Sequence, residues 1–205
     1  PATLRSIGNA AFSGCSALTS FGSPLSLQLP AALTSIGNEA FKNCTAIKAI
    51  SLPISLQSIG NSAFDGCSGI TKLVIPSSVK KIGTLAYANC RSLGVSGSPD
   101  DIVIPNSVTE IGKDAFAKCP ITAITLGTAV AIPSGLSRAT ILSVKLLKET
   151  SRNAAIPQNQ FADCTKLEAI EIPDTVTSIG DFAFARCSSL GKKSLSLPNS
   201  LTSIG

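Results

Sequence analysis

Apolar residues recur along this chain in a fixed order with a long period. One stretch reads Pro53, Leu56, Ile59-Gly60, Ala63-Phe64, Cys67, Ile70, Leu73 and Ile75, with polar residues filling the gaps. The same order returns elsewhere as P-x-x-L-x-x-I-G-x-x-A-F-x-x-C-x-x-L-x-x-L-x-L, with Ile or Val often in place of Leu. Cys15, Cys44, Cys67, Cys90, Cys119, Cys164 and Cys187 mark the phase, at separations of 29, 23, 23, 29, 45 and 23 residues. Pro1, Pro30, Pro53, Pro76, Pro105 and Pro173 each precede a cysteine by 14 residues, and an Ile-Gly pair begins six residues after each of these prolines. Phe12, Phe41, Phe64, Tyr87, Phe116, Phe161 and Phe184 each stand three residues before a cysteine. A period near 23 held over the whole chain is the mark of a stacked repeat.

Each position in the unit has a physical reason. In Leu73-Val74-Ile75 side chains alternate, as in a half-buried strand, and Pro76 ends it because proline has no N–H for a neighbouring strand. Ile-Gly is read as a turn, its glycine serving either a left-handed or a tightly packed backbone. Ala-Phe and Cys close the far side. One unit cannot bury its apolar face alone, so units stack with strands about 4.8 Å apart. About eight strands are expected, one per unit.

In its Ile-Gly, Ala-Phe and Cys columns the unit resembles the BspA-type (Treponema pallidum-type) leucine-rich repeat. That resemblance implies an α/β leucine-rich repeat solenoid, a right-handed curved array of about eight 23-residue units with a parallel concave β-sheet. It also implies a surface or secreted role in adhesion and binding.

Departures from the unit are informative. Residues 1–205 read as a single solenoid, taken as a piece of a longer array, with a decayed unit at about 120–157. There Ile132-Pro133 and Ile156-Pro157 replace Ile-Gly, and Thr140 or Ile141 replaces Cys. A rival reading makes Ser137–Glu149 an amphipathic helix with Ala139, Leu142 and Leu146 on one face; the degenerate repeat is preferred because 45 residues keep phase within one. Six extra residues enter before the strand around Thr19–Ser26 and again at Gly94–Asp101, the latter a loop by composition.

Composition narrows the chemistry. Forty-four per cent hydrophobic residues suffice for a core, and the net charge of +5 is too small for a nucleic-acid footprint. No apolar run approaches the roughly 18 residues of a membrane span, so this segment is not expected to insert into a membrane. Histidine is absent, which removes the commonest general base and metal ligand. No Cys-x2-4-Cys pair exists for zinc, so neither metal nor cofactor is expected. The cysteines are expected to be reduced, buried and stacked, and the aromatic column to be core. Asn43-Cys44-Thr45 matches the glycosylation pattern, a weak signal.

A binding face follows from the strand alternation. The outward residues should be Ser26 and Gln28, Ala49 and Ser51, Lys72 and Val74, Asp101 and Val103, Ala123 and Thr125, Ala169 and Glu171, and Ser194 and Ser196. The candidate contacts among them are Gln28, Ser51, Lys72, Val74, Asp101, Val103, Thr125, Glu171 and Ser196. The expected function is a non-catalytic adhesion or binding module that meets a protein or cell-surface partner through its concave sheet and rim loops. The alternative is a spacer or matrix component making contacts along the array with neighbouring copies of itself.

Overall fold

The computed structural model describes residues 3–20, 27–133, 135–136, 138–148, 154–193 and 195–205. It is a parallel-sheet solenoid of about seven turns of roughly 23 residues. No α-helix occurs among the described residues, and the helical content is two 3-10 turns, Pro99–Asp101 and Arg138–Thr140. Ser26, Ser194 and most of the Thr19–Ser26 insertion lie outside the described residues, as do Ser137 and Glu149.

Most units contribute two short strands where one was expected. The first set lies at Ser-Ile: β1 (Ser6–Ile7), β3 (Ser35–Ile36), β5 (Ser58–Ile59), β7 (Lys81–Ile82) and β9 (Glu110–Ile111) form one five-stranded parallel sheet. Farther along, β12 (Ala154–Ile156), β14 (Val176–Ile179) and β15 (Ser203–Ile204) form a three-stranded sheet. Ile-Gly is therefore the end of a strand rather than a free turn. Its glycine answers close approach: a Cβ on Gly60 would meet the carbonyl carbon of Gly37 at 2.6 Å and the amide nitrogen of Asn38 at 2.7 Å.

The second set lies at the expected Leu-x-Leu positions. Here β6 (Leu73–Val74), β8 (Ile102–Ile104), β10 (Ala123–Leu126), β11 (Ser143–Leu146) and β13 (Ala169–Glu171) form the broad sheet. A bridge between Ala49 and Lys72 connects it to the pair β2 (Leu27–Gln28) and β4 (Ile50–Ser51). Leu73 pairs with Ile102 and Val74 with Val103, so the outward residues of successive units lie side by side. The segment Leu195–Leu197 forms no strand, and both leucines are more than 40 % exposed. Ser196 is thus exposed, but not in a paired strand.

Between these two sheets the backbone makes two tight turns that carry Ala-Phe and Cys. Each intact unit holds two left-handed residues here, such as Glu39 (φ 55°) with Asn43 (φ 60°), or Leu85 (φ 56°) with Asn89 (φ 57°). The alternation aims three N–H groups of one turn at three carbonyls of the next. Glu39, Phe41 and Asn43 donate to Asn61, Ala63 and Asp65, each at 2.8 Å. Inside this ladder the aromatic rings stack face to face from Phe12 through Phe41, Phe64 and Tyr87 to Phe116, with centroids 5.1–5.6 Å apart. The stack resumes at Phe161 and Phe184, 5.4 Å apart.

A second ladder uses side chains. Asn9, Asn38 and Asn61 each accept, through Oδ1, the amide of the residue in the same place one unit later: Asn38, Asn61 and Thr84.

The decayed unit keeps one sheet and loses the other. Its strand β11 pairs with β10 on one side and β13 on the other, so Ser143–Leu146 is a strand and not part of a helix. No Ser-Ile strand is formed around Ile132. In place of the missing turns, Arg138 Nη1 donates to Gln160 O at 2.9 Å and Ala162 O at 3.1 Å. Those carbonyls correspond to Ala40 O and Lys42 O, which accept the Phe12 and Gly14 amides in an intact junction. Gln160, buried where the unit calls for alanine, donates its side-chain amide to Val130 O.

Candidate binding face

The broad sheet presents its outward side chains unevenly. Gln28, Ser51, Lys72 and Glu171 are exposed, Val74 is 49 % exposed, and Val103 is half-buried. Thr125 is the clear exception to the expected pattern, at 1 % exposure, and its neighbour Ala123 is buried as well. The cause is the inserted loop. Gly94–Asp101 folds back across the sheet and seats its 3-10 turn over β10, where Thr125 Oγ1 donates to Pro99 O at 2.8 Å. Asp100 reaches past β10 to Lys145 of β11, with carboxylate and ammonium 3.6 Å apart. Thr125 therefore anchors the loop and is withdrawn from the set of surface contacts.

Asp101 is also displaced. It ends the 3-10 turn and accepts a hydrogen bond from Ser96 Oγ, and the strand begins at Ile102. Ser98 caps the turn by accepting from the Asp100 amide at 3.3 Å. An aspartate whose carboxylate is satisfied within its own loop is a structural clamp. What remains open is Glu171 on β13 and, on the other side of the loop, the face of β2, β4 and β6; the loop's Val95 is 67 % exposed.

On the opposite strand set, a shallow groove follows the glycine column. One section of about 290 Å³ is lined by Asn38, Ser58, Gly60, Asn61 and Lys81; the next, of about 410 Å³, continues past Thr84 to Gly112. Its walls are mainly backbone and ladder asparagines, and Lys81 is paired there with Glu110 at 2.8 Å.

The cysteine column is a set of free thiols, as expected, but it is not uniformly buried. Cys44, Cys67, Cys90 and Cys164 are buried, Cys119 and Cys187 are half-buried, and Cys15 is exposed. Each of five thiols donates to the carbonyl of the aromatic residue in the preceding unit: Cys44 to Phe12 and Cys67 to Phe41 at 3.0 Å, Cys119 to Tyr87 and Cys187 to Phe161 at 3.1 Å, and Cys90 to Phe64 at 3.3 Å. A small apolar side chain with one weak donor fits this dry position. Burial pushes the Cys44 and Cys164 thiols up to about 11 and the Cys67 thiol up to about 12. At the surface, Arg186 forks onto Asp163 with contacts of 2.5 and 2.8 Å, and that hydrogen bonding holds the Asp163 carboxyl below its ordinary range. Among the described residues no group of His, Cys, Asp and Glu is placed to hold a metal ion, and no helix is long and apolar enough to cross a membrane.

The profile of the BspA type leucine-rich repeat region matches residues 1–28, 23–135 and 151–205, in six copies. The chain belongs to this family. The gap in the match, 136–150, falls within the decayed unit, where Arg138 replaces the ladder. Among solved structures, the repeat protein is similar to the leucine-rich repeat protein of T. pallidum, at 26 % identity over 91 % of this chain and 72 % of that one, with a TM-score of 0.52. It is also similar to the pneumococcal vaccine antigen PcpA, at 25 % identity over 98 % of this chain and 50 % of that one, with a TM-score of 0.49. A search of curated proteins finds no match by sequence.

Proposed function

We propose that this BspA-type repeat segment is a non-catalytic binding module of a cell-surface or secreted protein. It meets a protein or cell-surface partner through the open face of β2, β4 and β6. The observation that carries this reading is the asymmetry of the broad sheet. Gln28, Ser51, Lys72 and Val74 stand free in adjacent strands, whereas the face over β10 is filled by the protein's own loop. Leucine-rich repeat domains generally mediate protein interactions, and extended solenoid faces are their usual contact surface. The T. pallidum neighbour supports the architecture for such a role.

The test is binding of the labelled 205-residue chain to whole cells and to immobilised extracellular-matrix proteins, beside a Lys72→Glu, Val74→Asp variant. Both residues are exposed, so the unfolding midpoint should hold. Binding should weaken by about tenfold, the equivalent of about 1.4 kcal/mol. Equal binding by both proteins would remove this face from the function. A spacer role is favoured by one observation, the small outward residues Ala49, Ser51 and Ala169. Self-association of the chain without binding to any of these surfaces would make that reading the better one.

A further inference from the structure

The groove over the glycine column is a second exposed surface, and its chemistry is fixed by the fold. Asn9, Asn38 and Asn61 stand two residues after Ile7, Ile36 and Ile59, which pair in register through β1, β3 and β5. Each carboxamide is held by its oxygen: the Oδ1 atoms accept the backbone amides of Asn38, Asn61 and Thr84 in turn, at 2.8, 2.8 and 2.9 Å. A backbone N–H needs an acceptor, so it is the oxygen, not the nitrogen, that faces the ladder. These oxygens lie close over the glycine floor. A Cβ on Gly37 would meet Asn9 Oδ1 at 2.8 Å, and one on Gly83 would meet Asn61 Oδ1 at 2.7 Å. All three asparagines are exposed, and their Nδ2 groups donate to no partner among the described residues.

A row of oriented donors whose own oxygens are already used selects a ligand rich in oxygen acceptors. Its pitch selects further. Neighbouring strands set the amides about 4.8 Å apart along the solenoid axis. An extended peptide presents same-side carbonyls every second residue, roughly 6.6–6.8 Å, and falls out of step within two units. A hexopyranose chain linked through opposite ring carbons advances by close to one strand spacing per sugar and stays in step. Charge narrows the class again. Lys81 lines both sections of the groove and is paired there with Glu110 at 2.8 Å, which leaves little net charge for a uronate or sulfated polymer. Sections of about 290 and 410 Å³ that share Asn61, Lys81 and Gly83 form one shallow track, suited to a chain lying along the surface.

We propose that this groove binds a neutral, unbranched hexose polymer, one sugar to each repeat unit, with the Nδ2 groups of Asn9, Asn38 and Asn61 donating to oxygens of successive sugars. Hydroxyl and ring oxygens occur on both edges of each sugar, so alternate flipping of the rings leaves an acceptor at every donor. Ser58 and Thr84 flank the same row. This site lies on the Ser-Ile sheet and is separate from the open face of β2, β4 and β6.

The test titrates the isotope-labelled 205-residue chain with soluble β-1,4-linked hexamers of glucose, mannose and N-acetylglucosamine, followed by amide NMR. At least one hexamer should shift the side-chain amide signals of Asn9, Asn38 and Asn61 together and saturably, while the backbone amides of Ser51 and Lys72 stay in place. The double variant Asn38→Asp, Asn61→Asp keeps both ladder oxygens and removes both donors, so its binding should weaken by about tenfold. Lys72→Glu, Val74→Asp should bind the hexamer as the parent does, so the two faces stand or fall separately. The proposal is overturned if no hexamer moves the asparagine side-chain signals, or if the folded double aspartate variant binds equally. It is also overturned if an unstructured Gly/Ser peptide shifts the same signals as strongly, which would make the groove a peptide track. The parent titration decides the matter even if the aspartate variant fails to fold.

Discussion

Arg138 reaches from the decayed unit to two carbonyls of the array beyond it, beside the reverse contact from Gln160 to Val130 O, and its removal has a calculable effect. In an intact junction the carbonyls at Ala40 and Lys42 receive backbone amides; in this one Gln160 O and Ala162 O receive the Arg138 guanidinium at 2.9 and 3.1 Å. Hydrogen bonds from a charged donor contribute roughly 1.5–3 kcal/mol each. Arg138 is half-buried, so water can partly replace it and the low end applies. Arg138→Ala should cost about 2–4 kcal/mol, a large share of a typical domain stability of about 5–15 kcal/mol. Solenoid stability is close to a sum of unit and neighbour terms, so the loss falls on one interface. Urea unfolding followed by circular dichroism should show a lower midpoint for Arg138→Ala, with the early part of the transition belonging to residues after Cys164. Hydrogen exchange should rise across Asn159–Cys164 while Ile59–Cys90 keeps its protection. Arg138→Lys, with a single ammonium in place of the fork, should fall between the two. If Arg138→Ala unfolds within about 0.5 kcal/mol of the parent, the size of an ordinary surface change, the splice has been misread.

Three further outcomes follow from the columns. Gly60→Ala should destabilise by about 1–3 kcal/mol, because the new methyl meets backbone atoms of Gly37 and Asn38 that the ladder holds in place; an unchanged denaturation midpoint would show that the stack yields easily. Tyr87→Phe should raise the unfolding free energy by roughly 1 kcal/mol or more, since the Tyr87 hydroxyl is buried without a hydrogen-bond partner and the ring stack is untouched; a fall would reveal that the hydroxyl is satisfied. Stability should fall as pH rises above about 8.5, where unfolded thiols ionise while Cys44, Cys67 and Cys164 hold their protons to about 11–12. The unfolded state binds fewer protons in that window, so each such thiol lowers stability by at most about 1.4 kcal/mol per pH unit. Denaturation at pH 7 and pH 10 measures the slope, which Cys67→Ala should reduce; a flat profile would contradict the burial of the column.

The repeat phase was legible because burial depends on residue type, and Phe64, Cys67 and Leu73 announce their burial in every unit. The second sheet was not, because Ser58-Ile59 is too short to show an alternation. The two left-handed residues per unit are occupied by Glu39, Ser62, Leu85 or Phe182 as readily as by Asn or Gly, so no residue type marks them. The ladder selects that backbone, and side chains there point outward without packing constraints. The burial of Thr125 was hidden for another reason: its local pattern is that of an exposed strand residue, and what covers it comes from a loop more than 20 residues earlier. The cysteine reading went astray at Cys15, Cys119 and Cys187, where burial depends on what neighbouring units supply.

The turn ladder has a consequence for how such an array can change over generations. Every intact unit offers three amides forward and three carbonyls backward, whatever its side chains. A duplicated unit placed between two existing ones therefore meets the same chemistry on both sides, and a deleted unit leaves a junction of the same kind. Length can drift by whole units with little penalty at the joins. A unit that loses its turns, as around Arg138, breaks that interchangeability. It can be kept only together with the guanidinium that bridges it, which ties residues 138 and 160–162 into one heritable piece.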